Sequence, residues 1–132
     1  MKRILLSAAL IATAGFAQAE LSKPIVAYTP VVMKNADALN LTDAQRADVA
    51  EWKATMPAKR KAIEAETIAL RAELRRAINQ GQPTEARQAL AEQIGAKETQ
   101  LLMMRSGCVD HWRALLSEEQ FAKMLELAGA SE

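Results

Sequence analysis

The sequence predicts an all-α protein: four helices with a long antiparallel helical hairpin among them. Apolar residues recur at steps of three and four along most of the chain, the period of one helix face. Two hydroxyl-x-x-Gln segments, Thr42 to Gln45 and Ser117 to Gln120, have the spacing of capping boxes that start helices. No stretch carries strand signals. Hydrophobic residues make up 50% of the chain but aromatic ones only 4%, because Ala supplies much of the apolar count. Ala buries little area, so the core should be thin and stability should lean on helix propensity and a partner chain.

The first 19 residues read as a cleavable secretory leader. Lys2 and Arg3 precede an apolar stretch from Ile4 to Phe16, and Ala17-Gln18-Ala19 is a small-x-small exit. The apolar stretch is shorter than the ~20 residues a membrane span needs. Residues 20–38 contain Pro24 and Pro30 without a clear period, and are expected to form an extended, flexible arm. Residues 39–128 form the helical domain, and 129–132 a short tail. The 17 basic and 16 acidic residues become 15 and 16 once Lys2 and Arg3 leave with the leader, a net charge of −1. Nucleic-acid partners, which call for an excess of positive charge, are not expected.

Within the domain, Thr42 caps the first helix through Gln45, and Val49, Trp52 and Met56 share a face. Pro57 lacks a backbone donor and disfavours helix at Met56, so this helix is expected to end or kink there. From Pro57 to Asn79, the residues Ile63, Thr67, Leu70, Leu74 and Ala77 step by four and three as a heptad-like seam. Asn79 to Pro83 is a turn, and Thr84 can cap the next helix. In that longest helix Leu90, Ile94, Leu101, Met104, Cys108, His111 and Leu115 keep one face, and Gly95 and Gly107 are points where it could bend. Ser117 and Gln120 open the last helix, with Leu116 and Phe121 as its hydrophobic staple, and Gly129 stops it. The two long helices cannot bury their stripes alone and should pack on each other.

Chemistry-bearing residues are few. His111 has no Ser or Asp partner in a recognisable catalytic motif, and no enzyme is expected. Met104, Cys108 and His111 fall at i, i+4 and i+7 on one helix face. Thiolate and thioether suit copper(I), and imidazole suits copper, zinc or nickel, so the three form a candidate metal site. The same positions are those of an ordinary helix-packing seam, where Met and Cys are common fillers. As the lone cysteine, Cys108 has no intrachain disulfide partner; an interchain bridge, a free thiol, a metal ligand and a quiet core residue remain open.

The paired motifs Leu41-Thr42-x-x-Gln45 and Leu116-Ser117-x-x-Gln120, at the two ends of a charged helical hairpin behind a leader, resemble the Spy/CpxP family of periplasmic proteins. That family is named for a repeated Leu-Thr-x-x-Gln motif, and the resemblance covers about residues 37–127. It implies a curved, cradle-shaped homodimer in the periplasm that binds unfolded or misfolded proteins without ATP. It also implies, for some members, damping of envelope stress through a membrane sensor protein, and for others zinc, nickel or cobalt binding. Ser117 replaces Thr, which caps equally well. The near-neutral mature chain departs from an expected basic cradle, although Lys59, Arg60 and Lys61, and Arg71, Arg75 and Arg76, cluster locally. The expected function is therefore a chaperone or envelope-stress adaptor with no required cofactor and with Met56, Arg60, Ile63 and Arg75 on the client surface. The alternative is a heavy-metal sensor or resistance protein that binds copper, zinc or nickel through Met104, Cys108 and His111.

Overall fold

The computed structural model describes residues 25–130, and the leader expected at 1–19 lies outside them. Four helices, α1 (Thr29–Lys34), α2 (Asp43–Asn79), α3 (Thr84–Leu115) and α4 (Glu118–Leu127), follow in order, with no strand among the described residues. The helices α2 and α3 pack side by side as the expected hairpin, while α1 and α4 dock at its open end.

The four helices are divided differently from the sequence expectation. Residues 29–38 are not an extended arm. Thr29 begins a helix with Pro30 in its first turn, where a missing N–H removes no intrahelical bond. Its Val32 is fully buried, and Leu39 and Leu41 after it enter the same core. Asn40, at φ 49°, turns the chain from this segment toward α2, an excursion Asn tolerates better than most residues. Nor does α2 end at Pro57: it runs through that residue without a break. An internal proline costs about 3 kcal/mol or more, but α3 packs along both halves of α2 and holds them in line. The carbonyl orphaned by Pro57 belongs to exposed Lys53, where water can satisfy it.

The helix ends follow the sequence closely. Both capping boxes form: the Thr42 and Ser117 side chains accept from the Gln45 and Gln120 amides, and each Gln side chain accepts from the cap residue's own N–H. Leu116 and Phe121 of the staple are both buried. Gly81 and Gly129 take φ of 65° and 66° just past α2 and α4. The N–H groups of Gln82 and Ala130 then close back on Ala77 and Leu125 at 3.0 and 2.9 Å, the six-to-one bond of a Schellman stop.

The core is a cap at one end of the hairpin: Val32, Leu39, Leu41, Val49, Trp112, Leu116, Phe121 and Met124. Trp112 is fully buried, and its indole N–H donates to the Ala27 carbonyl at 2.9 Å, tying the N-terminal segment to α3. The two capping boxes are joined across this cap. The Gln45 amide nitrogen donates to Gln120 Oε1 at 2.8 Å and to the Leu115 carbonyl at 2.9 Å, and Gln120 Nε2 reaches the Leu39 carbonyl at 3.0 Å. Away from the cap the hairpin is a thin stem. Thr67, Ala77 and Ile94 are its buried seam, and Arg71–Glu98 and Lys97–Glu66 pair across it. Ile68 and Met103 on the stem are 66% and 64% exposed.

The joined capping boxes should make Gln45 and Gln120 act as a unit. Gln45→Ala and Gln120→Ala should each cost ~1–3 kcal/mol in urea unfolding, because each removal orphans a part-buried partner. The double variant should cost clearly less than the two together. Additive losses would show that each Gln acts only as a local cap.

Candidate functional site

A groove of about 590 Å³ opens between the N-terminal segment, α2 and α3. Ile25, Val26 and Ala27 form one lip, Met33 comes from α1, Trp52, Met56 and Pro57 from α2, and Met104 and Cys108 from α3. Its charged lining is wholly basic, from Lys53, Arg60 and Arg105, and neither a carboxylate nor an imidazole lines it. A broader concavity of about 1010 Å³ lies over the paired capping boxes. There the Gln45 and Gln120 amides are already committed to each other and to backbone, so the first groove is the better candidate.

The hairpin register brings the groove residues together. Trp52 lies against His111, with ring centroids 3.8 Å apart and planes 11° from parallel. One turn further along α2 is Met56, and back along α3 from His111 are Cys108 and then Met104, so the register places all three along the same groove. Two expectations that stood as rivals thus share a site: Met56 and Arg60 from the proposed client surface line the same groove as Met104 and Cys108 from the proposed metal set. The other members lie elsewhere. Ile63 is half-buried beyond the groove, and Arg75 is exposed on the stem, roughly 22 Å along α2 from Arg60 at 1.5 Å per residue. Arg60 is anchored by Glu64 one turn on, at 2.7 Å.

His111 does not join Met104 and Cys108 in the groove. Its Nε2 meets Asp48 Oδ1 at 2.6 Å, and its ring is held between Trp52 and, edge-on, Trp112. A carboxylate can only accept, so Nε2 carries the proton and is occupied. The zinc, nickel or cobalt chemistry implied by the family resemblance wants imidazoles and carboxylates. The described residues hold no group of three or more His, Cys, Asp and Glu placed to grip an ion, so they do not fit such a centre.

Cys108 is 8% exposed. Burial pushes its thiol above the ordinary value of 9.0, against the smaller opposing effects of the Trp52 indole N–H and the Arg60 charge. That indole N–H is itself buried without a hydrogen-bond partner. It lies toward the Cys108 sulfur, outside hydrogen-bonding geometry, and a charge on that sulfur would attract it. Sequence reasoning named Met56, Arg60, Met104 and Cys108 but missed Met33, which sat in the segment read as an arm.

Compared with family models, curated proteins and solved structures, the chain has no match. No helix of the described residues is long and apolar enough to cross a membrane.

The raised thiol has a measurable consequence. Labelling of Cys108 in the folded chain by a thiol reagent should be slow at neutral pH and should accelerate above pH ~9. The folded state holds this proton more tightly than the unfolded chain. Its contribution is therefore intact below the unfolded value and is lost as pH rises through the folded one. Cys108→Ala should flatten that alkaline decline in stability. Rapid labelling at pH 7 would show an open, activated thiol.

Proposed function

We propose that this chain is an exported, ATP-independent chaperone that holds short apolar segments of partly unfolded proteins in the groove between its N-terminal segment, α2 and α3. The observation that supports this most is the groove's composition. Methionine thioethers and one tryptophan make a soft apolar floor that adapts to many side chains. Lys53, Arg60 and Arg105 stand along it with no carboxylate in the lining, although Glu64 pairs with Arg60 from outside it, and this favours segments that carry acidic residues near their apolar ones. Contacts of this kind are individually weak and dispersed, so a client can leave and fold. The leader at 1–19 supports export, and the paired Leu-Thr/Ser-x-x-Gln motifs support a periplasmic setting in which stress adaptation through a membrane sensor is a further role.

The stem supports a second copy as partner. Two helices in contact leave much of each surface uncovered, and Ile68, Ile78, Leu102 and Met103 are exposed there. Covering them in a homodimer would extend the shallow groove into a longer cradle and supply the burial that the small core lacks.

Two measurements test this. In a light-scattering assay the chain should suppress aggregation of an unfolding client at near-stoichiometric ratios without ATP. Met56→Glu should weaken suppression several-fold, and Arg75→Ala should leave it unchanged. Salt should reduce it as the basic rim is screened. No suppression at several-fold excess would remove the holding function. In sedimentation at micromolar concentration the chain without its leader should run at twice the mass of one copy, and Ile68→Glu with Met103→Glu should make it monomeric. A wild-type monomer would remove the cradle.

A further inference from the structure

The groove floor carries a second chemical feature that polypeptide binding does not use. Four sulfur-bearing residues from three parts of the fold line it: Met33 of α1, Met56 of α2, and Met104 and Cys108 of α3. Among the described residues, Lys53, Arg60 and Arg105 are the charged groups that share this lining. The hairpin register sets Met56 opposite the Met104–Cys108 pair, themselves one turn apart on a single face. Three thioethers and a thiol in an apolar recess, without oxygen or imidazole donors, form a soft donor set.

We propose that this groove is a binding site for a soft monovalent cation, copper(I), held by the Cys108 thiolate and by the thioethers of Met56 and Met104, with Met33 as the fourth donor. The charge arithmetic selects the ion. Binding replaces the thiol proton: Cys108 loses H⁺, a sulfur–copper bond forms, and no electron is exchanged. One thiolate and one monovalent ion make a neutral centre, which an apolar recess beside Lys53, Arg60 and Arg105 tolerates. A divalent ion on the same donors would leave a net positive charge in an apolar recess beside Lys53 and Arg105, with Arg60 already paired to Glu64 and no carboxylate in the lining to offset it. Thioethers are also poor ligands for zinc and nickel at their usual oxidation state. Trp52 closes the recess on the side toward His111, and its partnerless indole N–H faces the sulfur that would gain charge. The site differs from the Met104, Cys108 and His111 set read from sequence in two ligands gained and one lost, and the ion is narrowed from three metals to one. It does not rest on the holding function: Met→Leu substitutions keep the groove apolar for a polypeptide but remove its donors, so the two can fail separately.

The test uses the full exported chain, reduced and under anaerobic conditions, titrated with copper(I) against a chromogenic copper(I) chelator. One equivalent should bind and quench Trp52 fluorescence, and binding should tighten as pH rises because a proton is released. X-ray absorption at the copper edge should show a shell of sulfur alone. Met56→Leu and Met104→Leu, swaps that preserve volume and fold, should each weaken binding about tenfold or more, in line with the loss of a positioned donor. Cys108→Ser should abolish it, and His111→Gln should leave affinity within about twofold. Zinc should not compete at equal concentration. The proposal is overturned by an imidazole in the metal shell, by affinity unchanged when Met33, Met56 and Met104 are all Leu, which would reduce the site to a lone thiol, or by an absence of copper(I) binding in a chain whose helicity is intact.

Discussion

The fold hangs on two glutamine side chains. Gln45 and Gln120 each complete a local capping box, and each then spends its remaining hydrogen-bonding capacity on the other and on the backbone around the opposite box. A primary amide offers two donor hydrogens and an oxygen with two lone pairs. One lone pair of each oxygen takes the cap N–H, and the rest joins the start of α2 to the start of α4 and to the end of α3, where Leu115 accepts from Gln45. Four chain segments thus meet at one pair of amides. Neither Glu, which has no donor when ionised, nor Asn, which is one methylene shorter, could play the part.

That junction determines where the core can be. It gathers α1, α4 and the open ends of α2 and α3, and the fully buried residues Val32, Leu39, Trp112 and Met124 sit around it. The stem receives none of that convergence. Two helices in contact leave most of each surface to solvent, so buried residues occur there only on the shared seam at Thr67, Ala77 and Ile94. Thr67 survives burial because its hydroxyl donates to the Ile63 carbonyl at 2.7 Å. The groove lies where these two regimes meet. Trp52 belongs to the cap through its contact with Trp112, while Met56 and Met104, further out along the hairpin, are only half-buried and line the groove. An apolar recess is the geometric result of a cap that stops before the hairpin does.

How much of this was legible in the sequence depends on how local the signal is. Thr42 with Gln45, Ser117 with Gln120, Leu116 with Phe121, and Gly81 and Gly129 act over three to five residues, and each appears in the structure as its spacing implies. Signals that depend on distant partners misled. Pro30 and Pro57 both read as breakers. One opens α1, where its missing donor is harmless, and the other is carried inside α2 because α3 braces both halves. The groove was half legible: Met104 and Cys108 share a face by spacing, and Met56 lies on a stripe. Their meeting is a matter of hairpin register, which no local pattern encodes, and Met33 could be placed only once α1 was known to fold back onto the cap.

The orientation of His111 shows why a shared helix face is weaker than a shared site. Its position three residues after Cys108 makes the two neighbours on α3. Yet an imidazole has a ring face as well as two nitrogens, and α2 offers partners for both: Trp52 for the face and Asp48 for Nε2. Turning the ring into the groove would break the stack and leave the carboxylate without its part-buried donor, a loss of about 1–3 kcal/mol for the hydrogen bond alone. Stacking adds about 0.5–1.5 kcal/mol more. An ion binding in the groove would have to offset both before gaining a nitrogen ligand, whereas Met56 and Met104 already line it and would give up no hydrogen bond to serve. The same stack fixes Trp52 at the wall between the two clusters. The residue that withholds His111 from the groove is thus also the one that shapes the groove's inner end.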